Sequence, residues 1–97
     1  MRVARVVGQV VSTAKPDSIA GRTILLLNDI DPADPDQVST RTYAAVDLVG
    51  AGRGEVVLVA TGGAARVESA TAQAPVDAAA IGIVDSLVVG SDVTYEK

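Results

Sequence analysis

Few residues in this chain have the chemical means to do more than pack. Asp47, Asp77 and Asp85 stand inside otherwise apolar stretches, and Arg66 follows the small-residue run Gly62-Gly63-Ala64-Ala65. Paired carboxylates in apolar surroundings can act as general acid and base, provided one of them has a raised pKa. The same carboxylates can instead accept backbone N–H groups or pair with Arg5, Arg53 or Arg66. Asp77 follows Pro75-Val76 at the start of an expected helical turn, where negative charge is favoured. The chain has no His and no Cys. No Ser-His or Cys-His arrangement can therefore activate a nucleophile, and thiol chemistry, disulfides and structural zinc are excluded. The expectation for Asp47, Asp77 and Asp85 is structural pairing. The chain is read as a non-enzyme, with no catalytic, cofactor-binding or metal site.

Two further stretches imitate binding motifs. Asp29 to Arg41 (DIDPADPDQVSTR) carries four Asp, and oxygen ligands suit calcium or magnesium. Its spacing does not match a twelve-residue calcium loop, lacking the Gly of the turn and the closing Glu, so a solvated loop is expected. Gly50-Ala51-Gly52-Arg53-Gly54 has the look of a phosphate loop. A dinucleotide fingerprint needs a helix after it, however, and Glu55-Val56-Val57-Leu58-Val59 reads as a strand; a Walker loop needs Gly-Lys followed by Ser or Thr. A hairpin turn using Gly50, Gly52 and Gly54 at positive φ is the expectation.

The elements that must position these residues are short and β-rich. Arg2 to Ser12 is dominated by Val and reads as a strand, with Gly8 marking a bulge or bend. Thr13 to Arg22 is a loop punctuated by Pro16 and Gly21. Thr23 to Asn28, Thr42 to Val49, Glu55 to Ala60 and Ile81 to Val89 read as further strands, and Asp92 to Lys97 as a short terminal one. One or two helical turns are expected in Gly62 to Glu68 and Pro75 to Ala79. Five or six strands with glycines at bends indicate a small closed β-barrel or sandwich, and closure removes apolar edges that would aggregate.

Composition sets the scale. A 97-residue chain is one domain, residues 1–97, without internal repeats. Hydrophobic residues make up 48% of it but aromatics only 2%, Tyr43 and Tyr95. Val and Ala dominate that core, whose layers must pack closely, and association is a usual remedy for so lean a scaffold. The net charge of −4 is the wrong sign for a phosphate-binding surface, and two Tyr offer little for base stacking. No apolar run reaches a membrane span, and polar residues interrupt the N-terminus at once, unlike a signal peptide. A soluble cytoplasmic protein is expected.

Three segments in order carry a resemblance. Val46-Asp47-Leu48-Val49-Gly50-Ala51-Gly52-Arg53-Gly54-Glu55-Val56-Val57-Leu58-Val59, then Gly62 to Arg66, then Pro75 to Asp85 (PVDAAAIGIVD) resemble the EutN/CcmL family. Arg2 to Val11 and Leu25-Leu26-Leu27 are similar to its first two strands. The resemblance implies a five-stranded barrel of OB-like topology, assembled as a homopentamer that caps the fivefold vertices of a bacterial microcompartment shell. Its partners would be further copies of itself and the hexameric tiles of the facets, with no nucleic acid and no membrane. The role would be geometric, and a cyclic ring uses a heterologous interface that closes on itself. On this reading Gly62, Gly63, Ala64, Arg66, Asp77, Ala78 and Ala79 lie at the subunit interface near the fivefold axis. Family members often carry Ser where Gly63 and Ala64 stand. An OB-like module binding nucleic acid or another anionic ligand is the alternative.

Overall fold

A computed structural model describes residues 1–11, 21–62 and 77–97. Its strands are β1 (Arg2–Val10), β2 (Ile24–Asp31), β3 (Asp34–Asp47), β4 (Val56–Thr61), β5 (Ala78–Ile83), β6 (Ser86–Val89) and β7 (Asp92–Glu96). The first five close into a barrel in the order β1-β2-β3-β5-β4, and β6 and β7 form a separate two-stranded ribbon. All barrel pairings are antiparallel except β3 with β5, which is parallel and two residues long, Val46 beside Ala79 and Asp47 beside Ala80.

Period-two alternation explains the closure. Ala4 and Val6, Leu25 and Leu27, Val57 and Val59, Ala78 and Ala80 face one interior with Ala45, and all are buried. Register locks them together: Val6 lies opposite Leu27, Ala4 opposite Val57, Leu25 opposite Ala45 and Val59 opposite Ala80. A five-stranded barrel is narrow, and its Ala positions make room for the Leu and Val side chains across from them. Val46, Val56, Ala60 and Ala79 are buried as well, at the other parity, so parts of β3, β4 and β5 are covered on both faces. The register of β1 against β2 shifts between Val6 and Gly8, the bulge expected at Gly8.

Four local expectations differ from the structure. The acidic stretch 29–41 is not a loop. Asp29 to Asp31 continue β2, Asp34 to Arg41 begin β3, and Asp31 lies opposite Asp34 across the Pro32-Ala33 tip. The Ala33 amide donates to Asp31 Oδ1 at 2.9 Å, an Asx turn. Most of this arm is exposed, so its polar composition fits a strand that leaves the barrel. Gly50, Gly52 and Gly54 do not form a hairpin, because β5 lies between β3 and β4. Sequence neighbours usually pair; here the parallel β3–β5 joint takes that place. The run Ile81 to Val89 is split at a bend around Asp85 into β5 and β6. Finally, Ala78 and Ala79 open β5 instead of completing a helical turn, because both are buried between neighbouring strands. The remainder of the expected helical segments, residues 63–68 and 75–76, lies outside the described residues.

Candidate functional site

At one end of the barrel the inward stripe turns polar. Two residues beyond the buried Ala4 stands Arg2, two beyond Leu27 stands Asp29, two beyond Ala45 stands Tyr43, and two beyond Val59 stands Thr61. Alternation aims all of them at the mouth that the apolar interior leaves. Ala4 lies opposite Asp29, Leu27 opposite Tyr43 and Thr61 opposite Ala78, which fixes these positions around the rim. The mouth is an open cleft of about 850 Å³, and Ser39, Arg41, Ala44, Gly62 and Asp77 complete its lining.

A three-residue cluster occupies one side of it. Tyr43 OH donates to Asp29 Oδ1 at 2.7 Å, and Arg2 Nη1 lies 3.4 Å from Asp29 Oδ2. The Arg2 guanidinium sits 5.3 Å from the centre of the Tyr43 ring, within cation–π range. Burial pushes the Tyr43 phenol above its ordinary range, and the hydrogen bond and charge of Asp29 add to this, with Arg2 offsetting part. Tyr43 therefore stays a neutral donor. The Arg2–Asp29 pair is partly exposed and contributes about 0–1 kcal/mol. Its main effect is to fix where a cation and two acceptor oxygens stand. Among the described residues no three His, Cys, Asp or Glu side chains gather to hold a metal ion.

The far end of β3 carries a second polar device. Asp47 Oδ1 accepts the amides of Val49 and Gly50, and Oδ2 that of Ala51, each at 3.0 Å. Gly50 and Gly54 take φ of +74° and +88°, a region that disfavours side chains. Gly52 N donates to Glu55 Oε1 at 2.6 Å, while Glu55 Oε2 pairs with Lys97 Nζ at 2.7 Å. The Lys97 bond, then the Gly52 amide, holds the Glu55 carboxyl below the usual range, with burial opposing. Glu55 in turn raises the Lys97 ammonium. Arg5 Nη1 donates to the Gly54 carbonyl at 2.8 Å, and its guanidinium lies 5.9 Å from the Tyr95 ring. These contacts strap the β6–β7 ribbon onto the connection between β3 and β4. Thr94 Oγ1 ties the ribbon to the Pro32 carbonyl at the arm's tip, at 2.5 Å.

The structure brings three of the sequence-selected residues to the mouth. Gly62, Asp77 and Ala78 line it, and Gly62 N donates to the Asp77 carbonyl at 2.6 Å. Ala79 is buried at the opposite parity of β5. Gly63, Ala64 and Arg66 lie outside the described residues. Asp77 and Asp85 are exposed and not enclosed by apolar neighbours; Asp85 marks the β5–β6 bend, where its carbonyl accepts the Lys97 amide at 2.8 Å. Reading by composition passed over Arg2, Asp29, Arg41 and Tyr43. The signal was present as alternation: Arg2-x-Ala4-x-Val6, Leu25-x-Leu27-x-Asp29 and Arg41-x-Tyr43-x-Ala45 each run from an apolar interior to a polar rim.

Comparison with known proteins agrees with this geometry over the whole chain. Residues 1–85 match the family described as "Ethanolamine utilisation protein EutN/carboxysome". The carboxysome shell vertex protein CcmL of Synechocystis sp. is 42% identical over 100% of this chain and 95% of its own length. The bacterial microcompartment shell vertex protein EutN of Escherichia coli is 39% identical, with 100% of both chains covered. Among solved structures, CcmL of Gloeobacter violaceus superposes with a TM-score of 0.91 at 42% identity, covering 100% of this chain and 98% of that one. The pentameric microcompartment shell protein GrpN of Rhodospirillum rubrum gives 0.80 at 35% identity, covering 93% and 100%. Similar along its length to these proteins in sequence and superposing on them in fold, the chain belongs to the EutN/CcmL family.

Proposed function

We propose that this protein is a structural component of a bacterial microcompartment shell, forming a homopentamer that caps the shell's fivefold vertices. The observation that carries the proposal is similarity over the full length of this chain to shell vertex proteins. The chain works as one domain, residues 1–97, and lies in the shell within the cytoplasm. Its partners are its own copies and the hexameric tiles of the facets. A sheet of hexagonal tiles is flat, and fivefold points give it the curvature to close. The work is geometric: the chain needs a rigid wedge and a repeating interface, and no catalytic group.

The mouth residues Gly62, Asp77 and Ala78, with Gly63, Ala64, Ala79 and Arg66, are the interface candidates near the fivefold axis. Native mass spectrometry tests the reading. Five copies of a 9.8 kDa chain weigh about 49 kDa; that mass supports the ring, and Arg66→Glu is expected to dissociate it. A stable monomer at low micromolar concentration overturns the pentamer. The binding-module alternative predicts affinity for single-stranded nucleic acid that falls steeply with salt. The net charge of −4 and the two tyrosines weigh against it.

A further inference from the structure

Two large apolar side chains are buried without belonging to the barrel's interior. Ile30 and Val56 fall out of step with the inward Leu25 and Leu27 of β2 and Val57 and Val59 of β4, yet they are only 6% and 0% exposed. Something outside the barrel covers them. Among the described residues the β6–β7 ribbon is the element that reaches both places. Arg5, opposite Val56 in the β1–β4 register, has its guanidinium 5.9 Å from the Tyr95 ring. Pro32, two residues after Ile30, accepts the Thr94 hydroxyl on its carbonyl. The ribbon accordingly has two unlike faces. Leu87 and Tyr95, opposite each other, are half-buried, whereas Val88 and Val93 stand at 62% and 59% exposure.

This cover is fastened lightly. Neither of its strands pairs with a strand of the barrel, and the chain enters it through the bend at Val84-Asp85, between β5 and β6. Val84 N donates to the Val56 carbonyl and Lys97 N to the Asp85 carbonyl, each at 2.8 Å, so the ribbon's base is fixed on the barrel. Away from the base, the described attachments are made by side chains: the Glu55–Lys97 ion pair at 2.7 Å, the Arg5–Tyr95 contact and the Thr94–Pro32 hydrogen bond. None of the residues from Ser86 to Lys97 is itself fully buried. A segment with so little buried surface opens at a small fraction of the cost of global unfolding.

We propose that the β6–β7 ribbon is a hinged flap, closed over Ile30 and Val56, that lifts as one body about Asp85 while the barrel stays shut. Its two latches, Glu55–Lys97 and Thr94–Pro32, lie three residues apart along β7, roughly 10 Å, and release together because the paired strands between them move as a unit. Lifting uncovers an apolar strip on the outside of the barrel and frees the tip of the β2–β3 arm from its partner. The glycine-rich connection that holds Glu55 is thereby coupled to an arm on the other side of β1. This concerns a single chain and goes beyond the ring reading above without resting on it.

Because the chain contains no cysteine, a single introduced thiol reports the opening. Ile30→Cys is expected to react with an aromatic disulfide reagent more slowly than Val38→Cys, its exposed neighbour across the β2–β3 pair. Urea well below the unfolding transition should barely change that rate, as for a local opening. Adding Glu55→Gln should speed the reaction of Ile30→Cys about twofold to fivefold, the range that one exposed ion pair allows. Thr94→Val should do the same from the other latch. A rate at Ile30→Cys that follows global unfolding, or that Glu55→Gln leaves unchanged, overturns the flap. Hydrogen exchange in chains without the thiol decides the matter should Ile30→Cys prevent folding. Glu55→Gln should then lower protection throughout β6 and β7 while the β1–β2 ladder keeps its own; equal losses in both, or a loss confined to Lys97, overturn it. Native mass measured on the same samples reads the ring separately, so a rigid ribbon in a five-chain ring refutes the flap alone.

Discussion

Asp47 offers the most quantitative test of how the barrel's far end is held. Its carboxylate accepts three backbone amides at 3.0 Å each. Val49 and Ala51 are half-buried and Gly50 is exposed, so two amides lose a partner that water replaces poorly. Hydrogen bonds to a charged group contribute about 1.5–3 kcal/mol each when water does not compete. Allowing for partial exposure, Asp47→Ala is expected to cost about 2–4 kcal/mol. Asp47→Asn keeps one carbonyl oxygen for Val49 and Gly50 but sets an amide N–H₂ against the Ala51 amide, an expected loss of about 1–2 kcal/mol. In a domain of this size each kcal/mol moves Tm by roughly 4–8 °C. The assay is urea and thermal unfolding by circular dichroism, at one fixed protomer concentration because association shifts apparent stability. The reasoning is refuted if both variants stay within about 0.5 kcal/mol of the parent, the range of ordinary surface substitutions. It is refuted equally if Asn proves more damaging than Ala.

Gly54→Ala is expected to cost about 1–2 kcal/mol, because φ is +88° with no atom close enough to clash. Gly52→Ala, whose Cβ would meet only the flexible end of Glu55 at 3.3 Å, should cost less; urea midpoints of the pair decide. In a Tyr95→Phe background, the phenolate absorbance of Tyr43 is expected to rise only well above pH 10, since its folded pKa is raised. That raised pKa stabilises the fold below pH 10 and is lost as pH climbs toward the folded value, so a normal titration midpoint in folded protein would contradict the cluster. The Glu55–Lys97 strap should hold across a wide window. Glu55, with a lowered pKa, supports it above pH 4.5 and fails as pH falls through its folded value; Lys97, with a raised one, supports it below pH 10.5 and fails as pH rises through its own. Protection factors of the β7 amides, corrected for the intrinsic pH dependence of exchange, should fall beyond both limits and stay flat between them.

The barrel was legible wherever one rule applied at a time. Val-rich and continuous apolar runs between glycine and polar punctuation marked β1, β2 and β4, and the Gly8 bulge was readable from a glycine within a strand. The acidic arm was not, because a strand exposed on both faces has no apolar period and looks like a loop. Nothing in Gly50 to Gly54 announces that β5 will enter between β3 and β4, since pairing choice depends on residues 30 positions further on. The polar mouth was hidden for a different reason. Arg2, Asp29 and Tyr43 are far apart in sequence, and only the register of three strands brings them within hydrogen-bond reach. Asp47 is intermediate: an isolated carboxylate before a glycine-rich turn suggested backbone amides as partners, while the number of amides required the folded connection.

The unequal lengths of the barrel's joints carry a consequence for how it breathes. Most of its staves are fastened along four to seven registered positions, but β3 meets β5 at Val46–Ala79 and Asp47–Ala80 alone. One more bond, from Leu48 N to the Ala80 carbonyl at 3.1 Å, extends that seam. A hoop loaded evenly parts at its shortest weld. Local fluctuation should therefore begin as a slit between β3 and β5, unrolling the cylinder into a curled sheet with β3 at one border and β5 at the other. Such an opening leaves the long β2–β3 joint intact. Amides along this seam should exchange before those between β1 and β2.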